Sequence, residues 1–169
     1  MKKIKTLVAA MVGTTLEFYD ITLYGFFTPL LAPLFFPSSH PTTSLMASLC
    51  AFAAGFLMRP LGGAFFGYVG DKYGRKNALV TAILLVTLPT VSIGLVPVYA
   101  EIGIWAPLIL ILCRLLQGFC TGGEYGGAAV FIAEQVDKKR VGLAGGILCS
   151  TAFIGAILGS GVGALCTAS

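Results

Sequence analysis

Five charged residues lie inside otherwise apolar stretches of the sequence. They are Glu17, Asp20, Arg59, Arg114 and Glu124. A lone charged side chain at the centre of a membrane helix costs about 2.5–3.5 kcal/mol on insertion scales, so such residues pair, face a bundle interior or line a water-filled pathway. The chemistry open to this set is therefore ion pairing, proton carriage or recognition of a charged solute.

The spacing of the polar residues predicts two polar helix faces. Glu17, Asp20 and Tyr24 are three and four residues apart, which places them on one side of a helix. A second set with spacing of three, four and three residues comprises Arg114, Gln117, Thr121 and Glu124. We expect the two faces to meet near the middle of a membrane, with acids opposite bases.

The role of this charged cluster is open between a scaffold and a function. A static ion pair could hold helices together, but the desolvation penalty makes a buried pair a weak source of stability. Three carboxylates against two arginines also leave one carboxyl without an obvious partner, and such a group could carry a proton. The pattern favours function, with Glu17 or Asp20 as the proton carrier.

The stretches that must position this cluster are long and apolar. Hydrophobic residues make up 57% of the chain, charged residues only 11%, and the mean hydropathy is +0.92, whereas soluble chains carry about 25% charged residues. A membrane-spanning helix needs about 20 apolar residues, and the qualifying stretches are 7–36, 45–68, 78–96, 105–133 and 142–168. The sequence predicts an all-α integral membrane protein with about five transmembrane helices.

Prolines and glycines predict local features of these helices. Pro29 and Pro33 are expected to bend or end the first helix. Glycines four residues apart favour close helix packing over a solute-lining role. They are Gly63 and Gly67, then Gly118, Gly122 and Gly126, then Gly155, Gly159 and Gly163.

The distribution of Lys and Arg predicts orientation and excludes other functions. These residues cluster before the first stretch and in the second-to-third and fourth-to-fifth loops. The positive-inside rule then places the N-terminus in the cytoplasm of a multi-pass plasma-membrane protein, most simply the inner membrane of a bacterium. The basic clusters lack interleaved aromatics, so nucleic acid is not expected. The cysteines have no metal-ligand spacing, and His40 has no nearby nucleophile, which argues against an enzyme.

A motif of glycines and charges separates the second and third stretches. Residues 67–76 read GYVGDKYGRK. Glycine allows a tight turn, and an acid among bases can bond helix ends. The motif resembles the signature loop of the major facilitator superfamily, G-x-x-x-D-(R/K)-x-G-R-(R/K), with every specified position filled.

Three further blocks resemble, in the right order, helices of the metabolite:proton symporter family within that superfamily. They are Gly13–Tyr24, Arg59–Gly63, and Arg114–Phe119 followed by Gly122–Tyr125. The stretch Ile102–Pro107 is similar to the proline/betaine group of that family. The resemblance implies symport of a small zwitterionic osmolyte such as proline or betaine, driven by a proton gradient and without a cofactor.

The candidate residues fall into two sets. The proton-coupling and solute set is Glu17, Asp20, Tyr24, Arg59, Arg114, Gln117 and Glu124. The cytoplasmic gate set is Gly67, Asp71, Lys72, Gly74, Arg75, Lys76, Glu134 and Arg140. The resemblance implies that Glu134 pairs with the gate arginines when the transporter opens outward. The segment between Glu134 and Arg140 departs from the family pattern, because it has five residues and no proline.

Length sets the chain apart from the superfamily, whose fold has two six-helix halves with the solute bound between them. This sequence stops within or just after a fifth helix. We therefore expect a truncated N-terminal half that acts with the lipid bilayer, solute and proton, and with a missing C-terminal half or another helix bundle. The alternatives are a non-transporting small membrane protein or subunit, and a di- or tricarboxylate as the solute.

Overall fold

The computed structural model describes residues 2–168, which form helices joined by short connections. The helices are α1 (Lys2–Phe35), α2 (Pro41–Tyr73), α3 (Arg75–Leu95), the single turn α4 (Tyr99–Ile102), α5 (Trp105–Gln135) and α6 (Val141–Ala168). Five of them, all except α4, are long and apolar enough to cross a membrane. The predicted all-α fold with five spans is confirmed, and the fourth and fifth predicted spans correspond to α5 and α6.

One of the predicted helix ends is wrong. The second span was expected to end at residue 68, with the motif as a loop, but α2 continues to Tyr73 and the chain breaks only at Gly74. Gly74 has φ +95°, a conformation that glycine adopts without a steric penalty. Helix α1 runs through Pro29 and Pro33 and ends at Phe35, one residue before the predicted end of the first span at residue 36. Neighbouring helices can satisfy the backbone groups that an internal proline frees.

Polar side chains are concentrated inside the bundle and large apolar ones outside it. The buried polar residues are Thr14, Glu17, Thr28, Ser44, Ser48, Arg114, Gln117, Thr121 and Glu124. On the outside, Leu57 is 77% exposed and Phe153 is 71% exposed. This arrangement suits a lipid environment, where apolar side chains face outward and ionisable ones turn into the bundle. The chain is a multi-pass membrane protein.

Glycines allow α2 and α5 to approach closely. A side-chain carbon at Gly62 would overlap the backbone carbonyl of Phe119, and one at Gly118 would overlap the backbone of Gly55. Small residues of this kind let helix backbones come together in membranes, where van der Waals packing drives association. The packing prediction is confirmed for Gly118.

The pairing of α1 with α6 uses the glycines of α6 in the same way. A side-chain carbon at Gly155 would overlap the carbonyl of Thr15, and one at Gly159 would lie 2.6 Å from the carbonyl oxygen of Tyr19. The packing prediction is wrong for Gly67 and Gly126, because a side-chain carbon at either would meet nothing within 4 Å.

Two apolar clusters flank the polar part of α5. One joins α3, α5 and α6 through Leu79, Ala128, Ile132 and Leu148. The other joins α1 and α5 through Phe35, Ala106 and Leu110. The polar residues of α5, from Arg114 to Glu124, lie between the two clusters along the helix. Apolar packing at both ends therefore holds the polar middle of the bundle in place.

Candidate transport site

A cavity of about 350 Å³ lies between α1, α2, α3 and α5 beside the polar part of α5. Six of the seven predicted proton-coupling and solute residues line its wall, namely Glu17, Asp20, Arg59, Arg114, Gln117 and Glu124. The seventh, Tyr24, covers Arg114 from the side. The structure thus brings the two polar helix faces together around one cavity.

Glu17 and Arg59 form an ion pair between α1 and α2. Arg59 Nη2 lies 2.8 Å from Glu17 Oε1, and the Glu17 side chain is only 3% exposed. Neither carboxyl oxygen of Glu17 has a partner with good hydrogen-bond geometry within the described residues. The contact is therefore a charge pair rather than a well-directed hydrogen bond, and the Glu17 oxygens keep acceptor capacity.

Arg114 is the centre of a polar network that joins three helices. Its Nη1 atom donates to Asp20 Oδ2 of α1 at 3.3 Å and to Gln117 Oε1 of the same helix at 2.8 Å. Gln117 Nε2 in turn donates to Thr90 Oγ1 of α3 at 2.8 Å. Asp20 is 37% exposed at its side chain and Arg114 only 7%, so the arginine is fixed from several sides while the acid keeps access to the cavity.

Tyr24 holds Arg114 through its aromatic ring. The guanidinium carbon lies 3.7 Å from the centre of the Tyr24 ring, within the distance of a cation–π contact. The Tyr24 hydroxyl lies 3.2 Å from Ser48 Oγ of α2 in a buried hydrogen bond. Tyr24 therefore connects the arginine of α5 to α2 as well as to its own helix.

Glu124 is the acid that the two ion pairs leave over. It is 1% exposed, and its Oε1 atom has no hydrogen-bond partner within the described residues. The carboxyl fits against Gly13 of α1, where a side-chain carbon would overlap Oε1. The carboxyl expected to have no partner is therefore that of Glu124 on α5, whereas Glu17 and Asp20 each pair with an arginine.

Aromatic side chains complete the cavity wall. They were not predicted as site residues from the sequence. Phe52, Phe56 and Tyr19 all line the cavity. Arg59 lies over the Phe56 ring at 4.5 Å, and Phe52 stacks on Tyr24 with 5.1 Å between ring centres. In an apolar stretch of sequence, a phenylalanine indicates a lipid-facing or core residue and not a site residue. The available signal was that positions 52, 56 and 59 share one helix face.

The gate set is only partly assembled. Arg75 Nη2 lies 2.6 Å from Asp71 Oδ1, and Arg75 Nε lies 3.4 Å from Glu134 Oε1. Arg75 therefore joins the end of α2 to the end of α5 across the start of α3. Gly67 lines a second cavity of about 210 Å³, which is rich in glycine and has Arg75 in its wall.

The remaining bases of the gate set take no part in this pairing. Lys72 lies 3.5 Å from the Tyr68 hydroxyl instead. The ion pairs among the described side chains include neither Lys76 nor Arg140. Both side chains are exposed.

Residues 5–168 match the sugar (and other) transporter family. The chain belongs to this family. The major facilitator resemblance of its motifs is thereby confirmed, and the polar cavity lies in a transporter fold. No solved structure matches the chain.

Individual relatives of this chain are named for osmolytes. It is 45% identical over 158 residues to a proline/betaine transporter of Salmonella typhimurium and 44% identical to one of Escherichia coli K12. It is also 44% identical to a glycine betaine/proline/ectoine/pipecolic acid transporter of Dickeya dadantii. Each match covers 94% of this chain but 32% of the relative. The chain therefore spans about a third of the length of these transporters.

Proposed function

We propose that this chain forms the N-terminal part of a proton-coupled symporter for a small zwitterionic osmolyte such as proline or betaine in the bacterial inner membrane. The observation that carries the proposal is the cavity in which two arginines, three carboxyl groups and several aromatic rings meet. The names of the relatives support the same solute class. No cofactor is needed, because the proton gradient supplies the energy.

The cavity offers both halves of a zwitterion a partner. Arg59 and Arg114 can bind a carboxylate, since guanidinium groups hold carboxylates through charge-assisted hydrogen bonds. Arg59 is the more accessible of the two, with 28% of its side chain exposed against 7% for Arg114. The cationic end of the solute suits two aromatic side chains of the cavity wall, Tyr19 and Phe52, because aromatic rings attract quaternary ammonium groups.

Coupling follows from competition for an arginine. In the ion pair, the carboxylate of Glu17 occupies Arg59. A proton on Glu17 would remove the negative charge and free the guanidinium for the carboxylate of the solute. The proton and the solute would then bind together, which is the requirement for symport. Asp20 and Arg114 offer a second pair with the same logic.

The gate role is proposed for the contacts of Arg75. Its pairs with Asp71 and Glu134 tie the ends of α2 and α5 together on the side that the basic loops assign to the cytoplasm. Breaking the longer contact, to Glu134, would let the two helix ends separate. We propose that this change accompanies opening toward the cytoplasm.

The chain is proposed to need a complement for transport. It covers 32% of its relatives, and in this superfamily the solute binds between two six-helix halves. The complement would be the remaining part of a transporter or another helix bundle that covers the cavity. The alternative is a small membrane protein or subunit that inserts stably but moves no solute.

Uptake into proteoliposomes tests the proposal. Radiolabelled proline and betaine would be supplied under an inward proton gradient to the chain alone, and to the chain co-reconstituted with the C-terminal remainder of the Salmonella relative. We expect accumulation only in the combined form, abolished by a protonophore. Uptake that ignores the gradient would overturn symport. Inhibition by citrate or succinate but not by betaine would favour the carboxylate alternative, and no uptake in either form would favour the non-transporting one.

A further inference from the structure

The strongest unexplained feature of the cavity is the carboxyl of Glu124. The ion pairs of the cavity use Glu17 and Asp20, and neither involves Glu124. None of the ion pairs among the described side chains brings a Lys or Arg nitrogen within 4 Å of this carboxyl. At 1% exposure it is more deeply buried than any other acid in the cavity wall. We infer that Glu124 is the residue that holds the transported proton, an assignment that rests on the proposed symport.

Burial and lack of a partner make the neutral acid the natural form of this side chain. An ionised carboxylate is strongly disfavoured away from water unless it is paired and hydrogen-bonded. The Oε1 atom of Glu124 has no hydrogen-bond partner in the described part of the chain. A proton compensates for the missing counter-charge, as it does for a carboxyl kept neutral by its surroundings.

The charged groups on the surrounding helices support the same assignment. Helix α1 contributes Glu17 and Asp20, which add negative charge to the cavity, and α2 contributes Arg59, which is already paired with Glu17. Arg114 on α5 is paired with Asp20. Helix α3 lines the cavity with uncharged residues only, and the sequence of α6 contains no charged residue. Every nearby cation is therefore engaged by another acid.

The position of Gly13 connects Glu124 to the Glu17–Arg59 pair. Gly13 lies against the Glu124 carboxyl, and Glu17 follows Gly13 by four residues, about 6 Å further along the same face of α1. Both carboxyl groups line the same cavity, so a proton can pass from Glu124 to Glu17 through water in it. The O–H bond of Glu124 breaks and an O–H bond forms on Glu17, so the negative charge moves to Glu124 until water in the cavity supplies another proton, and Arg59 loses its counter-charge. Glu124 would thus supply the proton whose arrival frees Arg59 for the solute.

Infrared spectroscopy tests the protonation in the chain itself. The 169-residue protein in lipid nanodiscs would be compared at neutral and alkaline pH in the region where protonated carboxyl groups absorb. We expect a band at neutral pH that Glu124→Gln removes and that Glu17→Gln, Asp20→Asn and the control Glu101→Gln, which lies in the exposed turn α4, retain. A missing band in the unmodified protein, or its loss in Glu17→Gln instead, would overturn the assignment.

Gly13→Ala provides a second test that keeps the carboxyl. A methyl group there must displace the Glu124 side chain, so the carboxyl band should shift in frequency. Gly126→Ala, on the same helix as Glu124 and in open space, should leave it unchanged. An unshifted band in Gly13→Ala would place the protonated group elsewhere, and circular dichroism of each variant would identify any that fails to fold.

Transport in the combined form separates this inference from the proposed function. One proton per solute gives about tenfold accumulation per pH unit, because each 1.4 kcal/mol is a factor of ten. We expect Glu124→Gln to abolish accumulation while retaining solute exchange without a gradient. If the unmodified protein fails to accumulate solute, the proposed symport fails. If it accumulates and Glu124→Gln does too, only the assignment to Glu124 fails.

Discussion

The guanidinium of Arg114 lies 3.7 Å from the ring centre of Tyr24, although the two residues are 90 positions apart in the sequence. The same guanidinium donates to Asp20 and Gln117. The ring occupies one face of the arginine while the acid and the amide hold its edge. A cation in a membrane interior is thus held by both an aromatic face and charge-assisted hydrogen bonds, which keeps it in place without a fully buried ion pair.

Two replacements of Tyr24 should distinguish the contribution of its ring to stability from that of its hydroxyl. Tyr24→Phe removes only the hydrogen bond to Ser48 and should cost about 0.6 kcal/mol, a typical value inside membranes. Tyr24→Leu also removes the cation–π contact and should cost about 2 kcal/mol more. Unfolding by SDS, followed by circular dichroism, measures both. Ser48→Ala is the matched control for the hydroxyl. Equal losses for the phenylalanine and leucine variants would show that the ring does not stabilise Arg114.

The Glu17–Arg59 pair should be strongly non-additive in stability. Arg59→Gln leaves the Glu17 carboxylate buried without a counter-charge and should destabilise the protein by about 3 kcal/mol. The double variant Glu17→Gln/Arg59→Gln should recover most of that loss, because neither charge remains. The same unfolding assay on the two single variants and the double variant gives the coupling energy. Losses that simply add would mean that the residues are not paired in the membrane.

The framework of this protein was predictable because its signals are strong and local. Apolar length predicted all five spans, and the spacing of Glu17, Asp20, Arg114 and Glu124 predicted two facing polar surfaces. The extent of α2 was not predictable, since the motif after Gly67 contains turn-forming residues. The helix continues through them and stops at Gly74, where the backbone has a positive φ.

The ion-pair and hydrogen-bond partners of the site residues could not be predicted from residue spacing, because they depend on how the helices pack. Three acids and two arginines allow several pairings. The packing of α1 against α2 and α5 decides that Arg59 pairs with Glu17 and Arg114 with Asp20. Thr90 was missed because a threonine on an apolar helix gives no signal until its contact with Gln117 is seen. The roles of these residues in transport remain predictions.

The gate contacts of Arg75 should contribute little to stability. Asp71 and Glu134 are 67% and 48% exposed at their side chains, and ion pairs with exposed partners are typically worth about 0–1 kcal/mol. A double-mutant cycle of Arg75→Gln with Glu134→Gln should therefore give a coupling energy below about 1 kcal/mol. Lys76→Gln is the matched control, since Lys76 is a neighbouring exposed base. A coupling of several kcal/mol would mean that the contact is a structural lock and not a gate.

The predicted orientation can be checked by labelling cysteines in intact cells. In a variant without the native cysteines, Glu101→Cys should react with a membrane-impermeant maleimide, because the positive-inside rule places that loop outside. Lys76→Cys should react only after the cells are permeabilised. Lys2, Lys3 and Lys5 contribute to this prediction. Their side chains are not among those that the structure describes. The reverse labelling pattern would invert the topology and put the Arg75 contacts on the outer side.

Alanine substitutions at two glycines of α5 should have opposite effects on stability. At Gly118 a methyl group would overlap the backbone of Gly55, so Gly118→Ala must push α2 and α5 apart, and overpacking of this kind costs about 1–3 kcal/mol. At Gly126 a methyl group would meet nothing within 4 Å, and alanine favours the helix by about 1 kcal/mol over glycine. Gly126→Ala should therefore be neutral or stabilising in SDS unfolding. Because both substitutions are chemically identical and lie on one helix, equal effects would show that the close contact of α2 and α5 does not contribute to stability.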